Sequence, residues 1–219
     1  MSPRLSFLAA LPLGFLLLTA AEEPGVADVR RALERHYNTT STFEADFVQR
    51  YTLGSQTLVE SGRVYFQKPG QMRWEYSAPQ EKLFLTDGEY AYLYVPEERQ
   101  VRRQSLKKAP EWQAAFALLL GRVDLGRLFA SLTLVRIHDL QSPARWQLRG
   151  LAKSDRQGFR EVWFDLDETY RVLRIEIHQR DGSLMEFHFR RWRENQPQPP
   201  ELFRLRLPPG TAWIDDQPS

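Results

Sequence analysis

The chain contains no cysteine. Without thiols it can form no disulfide, carry no lipid on an N-terminal cysteine and build no thiolate metal site. Its fold must therefore rest on packing and sheet hydrogen bonds. Histidine is scarce too, four in 219 residues, and His36, His138, His178 and His188 are scattered rather than spaced as a ligand set. No glycine-rich phosphate loop, G-x-S-x-G serine elbow or H-E-x-x-H zinc helix is present. The acidic "DLDET" at 165–169 lacks the glycine and distal glutamate of a calcium loop and reads as a turn between strands. These gaps point away from an enzyme and predict no cofactor and no metal. An excess of one charge is missing as well: 30 basic residues face 28 acidic ones, for a net charge of +2, and the signs alternate along the chain. Nucleic-acid binding needs a concentrated basic footprint, so none is expected.

Only one long apolar run occurs, "LSFLAALPLGFLLLTAA", which follows Arg4 and ends in Thr19-Ala20-Ala21 before "EEPG". A basic start, an apolar stretch and small residues at its end predict a secretory signal peptide over residues 1–21, and hence export. Pro12 and Gly14 interrupt the run, which is short for a membrane span. Residues 22–219 then suit a single domain with a sizeable core.

In "VADVRRALERHY" Val26, Val29, Leu33 and Tyr37 recur at three- and four-residue intervals, which predicts an amphipathic helix ending in the Asn38–Ser41 cluster. From Phe43 the period changes to two. The runs "FEADFVQRYT", "SGRVYFQK", "QMRWEYS", "KLFLT" and "EYAYLYV", parted by Gly54-Ser55, Pro69-Gly70, Pro79-Gln80 and Asp87-Gly88, predict an antiparallel meander. The stretch "APEWQAAFALLLGRVDLGRLFA" returns to helix, split at Gly121. Strands resume with "LTLVRIH", "RWQLRG", "FREVWFDL", "YRVLRIEIHQ" and "LMEFHFRRW", and "LFRLRLPPG" forms a last one. The fold class is α+β, mainly antiparallel β, with about eleven strands.

Burying a consistent face sets hairpin register. A three-residue loop at Asp181–Ser183 puts Leu173, Ile175, Ile177, Met185, Phe187 and Phe189 on one face, with Glu176 opposite His188 and His178 opposite Glu186 on the other. A loop at Pro69–Gln71 likewise puts Val64, Phe66, Met72, Trp74 and Tyr76 on one face, and Arg63, Arg73 and Glu75 on the other. A sheet with one greasy face must curl round something or be covered. Core packing accounts for most single aromatic residues. Residues 112–123, "WQAAFALLLGRV", are apolar almost all round, as suits a buried helix or a lid over an apolar cavity.

In order and spacing these residues resemble the LolA family, the periplasmic carriers of outer-membrane lipoproteins. The family's F-x-Q, glycine-aromatic, W-x-Y and aspartate-glycine pattern reads here as "FVQRYT" at 47–52, "SGRVYFQKPGQMRWEYSAP" at 61–79, "LFLTDGEYAYLYVPEERQV" at 83–101 and "FRLRLPPGTAWIDD" near the end. The match is good over 26–105 and 202–216 and only compatible between. The resemblance implies a half-open curled barrel with helices covering an apolar cavity. It also implies a monomeric periplasmic chaperone that takes acylated lipoproteins from an inner-membrane ABC-type release complex to an outer-membrane receptor. A carrier or sensor of the same fold for another amphiphile, such as a glycolipid, is the alternative. The acyl-chain cavity would be lined by Phe47, Val64, Phe66, Met72, Trp74 and Tyr76, with Phe116, Leu118 and Leu119 on the lid helix. Where the family commonly has an arginine that latches the lid, this chain has Lys68, which keeps the charge and loses the planar fork.

Overall fold

The computed structural model describes residues 23–106, 124–137 and 141–215. The expected signal peptide and the lid residues Phe116, Leu118 and Leu119 lie outside the described residues.

Helix α1, Val26–Thr39, begins where the Asp28 carboxylate accepts the Gly25 N–H at 3.0 Å, an acidic cap on exposed first-turn donors. It ends where the Thr40 amide and hydroxyl both donate to the His36 carbonyl, at 3.1 and 2.8 Å. Val29, Leu33 and Tyr37 are fully buried as the spacing predicts, but Val26 is exposed and Ala32 takes its place.

Twelve strands follow among the described residues. The first six are β1 (Thr42–Leu53), β2 (Gln56–Gln67), β3 (Gln71–Ala78), β4 (Lys82–Asp87), β5 (Tyr90–Val95) and β6 (Gln100–Ser105). After the short helix α2 (Leu125–Leu128) come β7 (Phe129–Arg136), β8 (Trp146–Ala152), β9 (Phe159–Leu166), β10 (Val172–Gln179), β11 (Leu184–Glu194) and β12 (Ala212–Asp215). They form one sheet in the order β12-β6-β5-β4-β3-β2-β1-β11-β10-β9-β8-β7, antiparallel throughout except for β12 on β6. Two meanders thus join along β1 and β11, and the outer strands β12 and β7 do not pair with each other, so the curl stays open.

The structure departs from the expected strands at the C-terminus. "LFRLRLPPG" joins no ladder; Pro200–Phe203 forms a 3-10 turn that packs on β3 and β4, and the last strand starts at Ala212. Proline cannot donate to a ladder, and Pro199, Pro200, Pro208 and Pro209 frame this segment. Strand β6, "QVRRQS", falls where the sequence pattern predicts no strand, because Val101 is its one apolar residue and the one that is buried.

Both hairpins keep the predicted faces but shift by one residue. Gln67 pairs with Gln71, so the loop is Lys68–Gly70, and the Gln179 amide donates to the Ser183 carbonyl, so the other loop is Arg180–Gly182. In each the third loop residue is a glycine in the left-handed region, Gly70 at φ 73° and Gly182 at φ 86°. A three-residue hairpin loop needs that conformation at its third position, and glycine adopts it without strain. As a result Glu176 stands opposite Glu186, and Arg174 opposite His188.

On the concave face one inward row crosses six strands: Tyr76 of β3, Gly62 of β2, Phe47 of β1, Phe189 and Phe187 of β11, Ile175 of β10 and Phe164 of β9. Residues Val29, Leu33 and Tyr37 of α1 belong to the same core. The outer face is wet: Arg149 pairs with Glu161, and Arg174 reaches Glu186 at 2.9 Å and Asp165 at 3.4 Å.

Candidate functional site

Trp74 is the hub of the concave face. Its ring lies 4.8 Å from Phe47, 5.9 Å from Phe66, 5.3 Å from Phe187 and 6.2 Å from Phe189, mostly edge to face. Phe43 stacks on Phe66 at 4.2 Å and extends the patch toward α1. Such ring pairs contribute beyond their area burial. Of the residues assigned to the cavity, Phe47, Val64, Phe66, Met72 and Trp74 are at most 2% exposed, and Tyr76 packs on their margin. The structure therefore brings these six together as one continuous apolar wall, and in this conformation the wall is packed. A cleft of about 590 Å³ opens at the margin of the wall, where Phe47, Val48 and Tyr76 line it together with Asp46, Arg63, Glu75, His188, Arg190 and Arg191, so its lining mixes apolar and charged groups.

Polar groups mark both ends of the wall. At one end Glu60, buried, pairs with the Lys82 ammonium and accepts the Gln49 amide at 3.4 Å. The Tyr76 hydroxyl donates to Gln49 Oε1 at 2.9 Å, and Lys82 stands 4.6 Å over the Tyr76 ring. Burial, and then the Glu60 charge, push the Tyr76 hydroxyl well above its usual range. Beyond this network the face reaches solvent at Leu53 and Leu58, each 48% exposed.

At the other end stands Lys68. Its ammonium donates to the Tyr37 carbonyl in the last turn of α1, where cations complement the helix dipole. Burial holds its pKa below the ordinary lysine value. The described partner of the expected latch is thus the N-terminal helix. The same helix is held at three further points. The Val172 amide donates to the Tyr37 hydroxyl at 3.0 Å, the Leu125 amide donates to Glu34 at 2.8 Å, and His36 lies 3.0 Å from Glu194. Burial alone would raise the Glu194 pKa, but the His36 and Arg171 contacts outweigh it and hold the carboxyl below its ordinary value.

Glu60 and Lys82 are not singled out by any motif, and Gln49 is marked only as the glutamine of the F-x-Q pattern, although side-chain alternation carries a signal for Gln49 and Glu60. Gln49 continues the inward alternation of Phe43, Ala45 and Phe47, and Glu60 that of Phe66 and Val64, so both are due to face the core. Among the described residues no three His, Cys, Asp or Glu side chains cluster to hold a metal. His178 pairs with Glu176 and His188 approaches Glu186 at 3.8 Å, on the outer face but with partners changed by the shifted register.

Residues 38–206 match the family described as "Outer membrane lipoprotein carrier protein LolA". The chain is 31% identical to an outer-membrane lipoprotein carrier protein of Nitrosospira multiformis over 92% of this chain and 94% of that one. It is 28% identical to the protein of the same name from Methylobacillus flagellatus, over 87% and 90%. Among solved structures, an uncharacterised conserved protein of Thermus thermophilus superposes with a TM-score of 0.54 at 15% identity, covering 87% of this chain and 98% of that one. MucB superposes with a TM-score of 0.51 at 14% identity, over 83% and 62%. At these identities the superpositions show a shared fold. No helix among the described residues is long and apolar enough to cross a membrane.

Proposed function

The chain belongs to the LolA family of outer membrane lipoprotein carrier proteins, and from that premise we propose that it is a periplasmic carrier that shields the acyl chains of lipoproteins between the two membranes. The observation that carries this reading is the continuous aromatic wall around Trp74, closed on one side by a helix tied down through discrete polar contacts. Each methylene transferred from water to such a wall contributes about 0.8 kcal/mol, so a few chain segments suffice for holding. Flat apolar packing has little directionality, which suits a grip that must also release. The cycle needs no covalent step. Cargo would enter as α1 moves away from the wall formed by Phe47, Val64, Phe66, Met72, Trp74 and Tyr76. Phe116, Leu118 and Leu119 would cover the chains, and Lys68 would help to reclose the site. An ATP-driven release complex of the inner membrane would supply the cargo and an outer-membrane receptor would accept it.

The test is release of a lipoprotein from spheroplasts by the purified protein, followed by native mass spectrometry of the soluble fraction. A one-to-one complex with acylated lipoprotein is expected. Failure to solubilise any lipoprotein, or recovery only of free glycolipid, overturns the reading.

A further inference from the structure

The end of the wall nearest α1 holds two buried polar atoms that have no partner among the described residues, and both flank Phe43. The first arises from a β-bulge. Glu44 pairs with Arg193 and Asp46 with Arg190, so Arg191 and Trp192 together oppose Ala45. Simple alternation from Phe187 and Phe189 would turn Arg191 inward and Trp192 outward. The bulge, with Arg191 at φ 55°, reverses this. Arg191 reaches Asp46 outside, and the Trp192 ring lies 5.2 Å from both Phe43 and Phe189 inside. Its indole Nε1 is sealed from solvent and meets no acceptor among the described residues.

The second atom belongs to Gln198. Its Nε2 donates to the Phe43 carbonyl at 3.2 Å, and that bond fixes which way the amide faces. The Oε1 is left buried and unpaired among the described residues. Buried polar groups are nearly always satisfied, and a lone donor and a lone acceptor on side chains that both contact Phe43, one at its ring and one at its carbonyl, ask for a ligand that supplies both roles. A hydrocarbon supplies neither, an ester carbonyl can accept only from Trp192, and a secondary amide can accept from Trp192 and donate to Gln198.

Resting on the carrier reading, we propose that Trp192 and Gln198 seat the secondary amide through which an acyl chain is joined to its cargo. The chain attached there runs from Phe43 along Phe66 and Trp74. The amide end is thereby fixed near α1, and the methyl end points toward the Glu60 network. Both side chains position the ligand and perform no chemistry.

The whole chain is titrated with N-methylpalmitamide and with methyl palmitate, which differ in the N–H. Wild type is expected to prefer the amide by about tenfold, the scale of one buried hydrogen bond. Trp192→Phe keeps the ring, loses the donor and should weaken amide binding by a similar factor. Its fold is checked by near-ultraviolet circular dichroism. Independently of any variant's affinity, one of the six tryptophan indole N–H resonances, identified by its loss in W192F, should move downfield when the amide binds. Equal affinity for the two probes, or a Trp192 signal that stays in place on binding, overturns the proposal. If wild type binds neither probe, the carrier reading falls and this inference with it.

Discussion

Glu60 occupies a position whose inward neighbours along β2 are Leu58, Gly62, Val64 and Phe66, and it is the least exposed carboxylate described. A charge there is tolerable because Lys82 neutralises it and Gln49 occupies its second oxygen. Side-chain exposure is 7% for Glu60 and 21% for Lys82, so this pair behaves more like a buried than a surface bridge. Removing one partner leaves an uncompensated charge, whereas removing both leaves a neutral patch. Lys82→Met should therefore lower stability by about 2–4 kcal/mol, and Glu60→Gln combined with Lys82→Met should recover most of that loss. Urea midpoints of wild type, the two singles and the double give the coupling directly. A Lys82→Met cost under about 0.5 kcal/mol would reclassify the pair as a solvated surface bridge.

The two hairpins show what alternation can and cannot decide. Side-chain parity assigns Val64, Phe66, Met72, Trp74 and Tyr76 to one face, and all but Tyr76 are fully buried there. Parity is unchanged when a loop moves by one residue at each side, so the pattern of apolar residues cannot fix where the turn sits. The backbone does: the third loop residue must be left-handed, and Gly70 and Gly182 meet that need. An alanine at Gly182 would have nothing within 4 Å of its Cβ, so its cost is conformational alone, about 1 kcal/mol. Gly62 differs. Its φ is ordinary, but an added Cβ would fall 1.8 Å from the Glu75 carbonyl oxygen across the β2–β3 bulge. Gly62→Ala must push two strands apart and should cost about 3 kcal/mol or more. Thermal or urea midpoints compare the two variants. Equal costs would mean that β2 and β3 separate easily, and would weaken the view of this pair as a rigid wall.

For the whole molecule, the part legible in the sequence is the part governed by local periodicity. The α1 face, the first five strands, β7 to β11 and the aromatic strip all follow from spacing. The rest depends on non-local geometry: β6 and β12 pair through position rather than pattern, and Trp192 turns inward only because a bulge on β11 meets β1. The family resemblance marks Lys68 as a latch, but its described bond to the Tyr37 carbonyl follows only from where α1 docks. These contacts lead to a prediction about opening. The wall is packed in this conformation, so apparent affinity for an acyl chain equals the intrinsic affinity scaled by the fraction of molecules with the cover lifted. Tyr37→Phe removes the acceptor of the buried Val172 amide and keeps the ring that packs at 6.3 Å on Phe43. It should destabilise the closed form by about 1–3 kcal/mol. A variant that merely damages the core would lose stability and affinity together. A variant that loosens the cover should lose stability while binding a fluorescent acyl probe faster and more tightly. Tyr37→Phe is expected to show this opposite movement, read from urea midpoints and probe titrations on the same preparation. A parallel loss of both would make α1 a fixed part of the core and assign opening to another element.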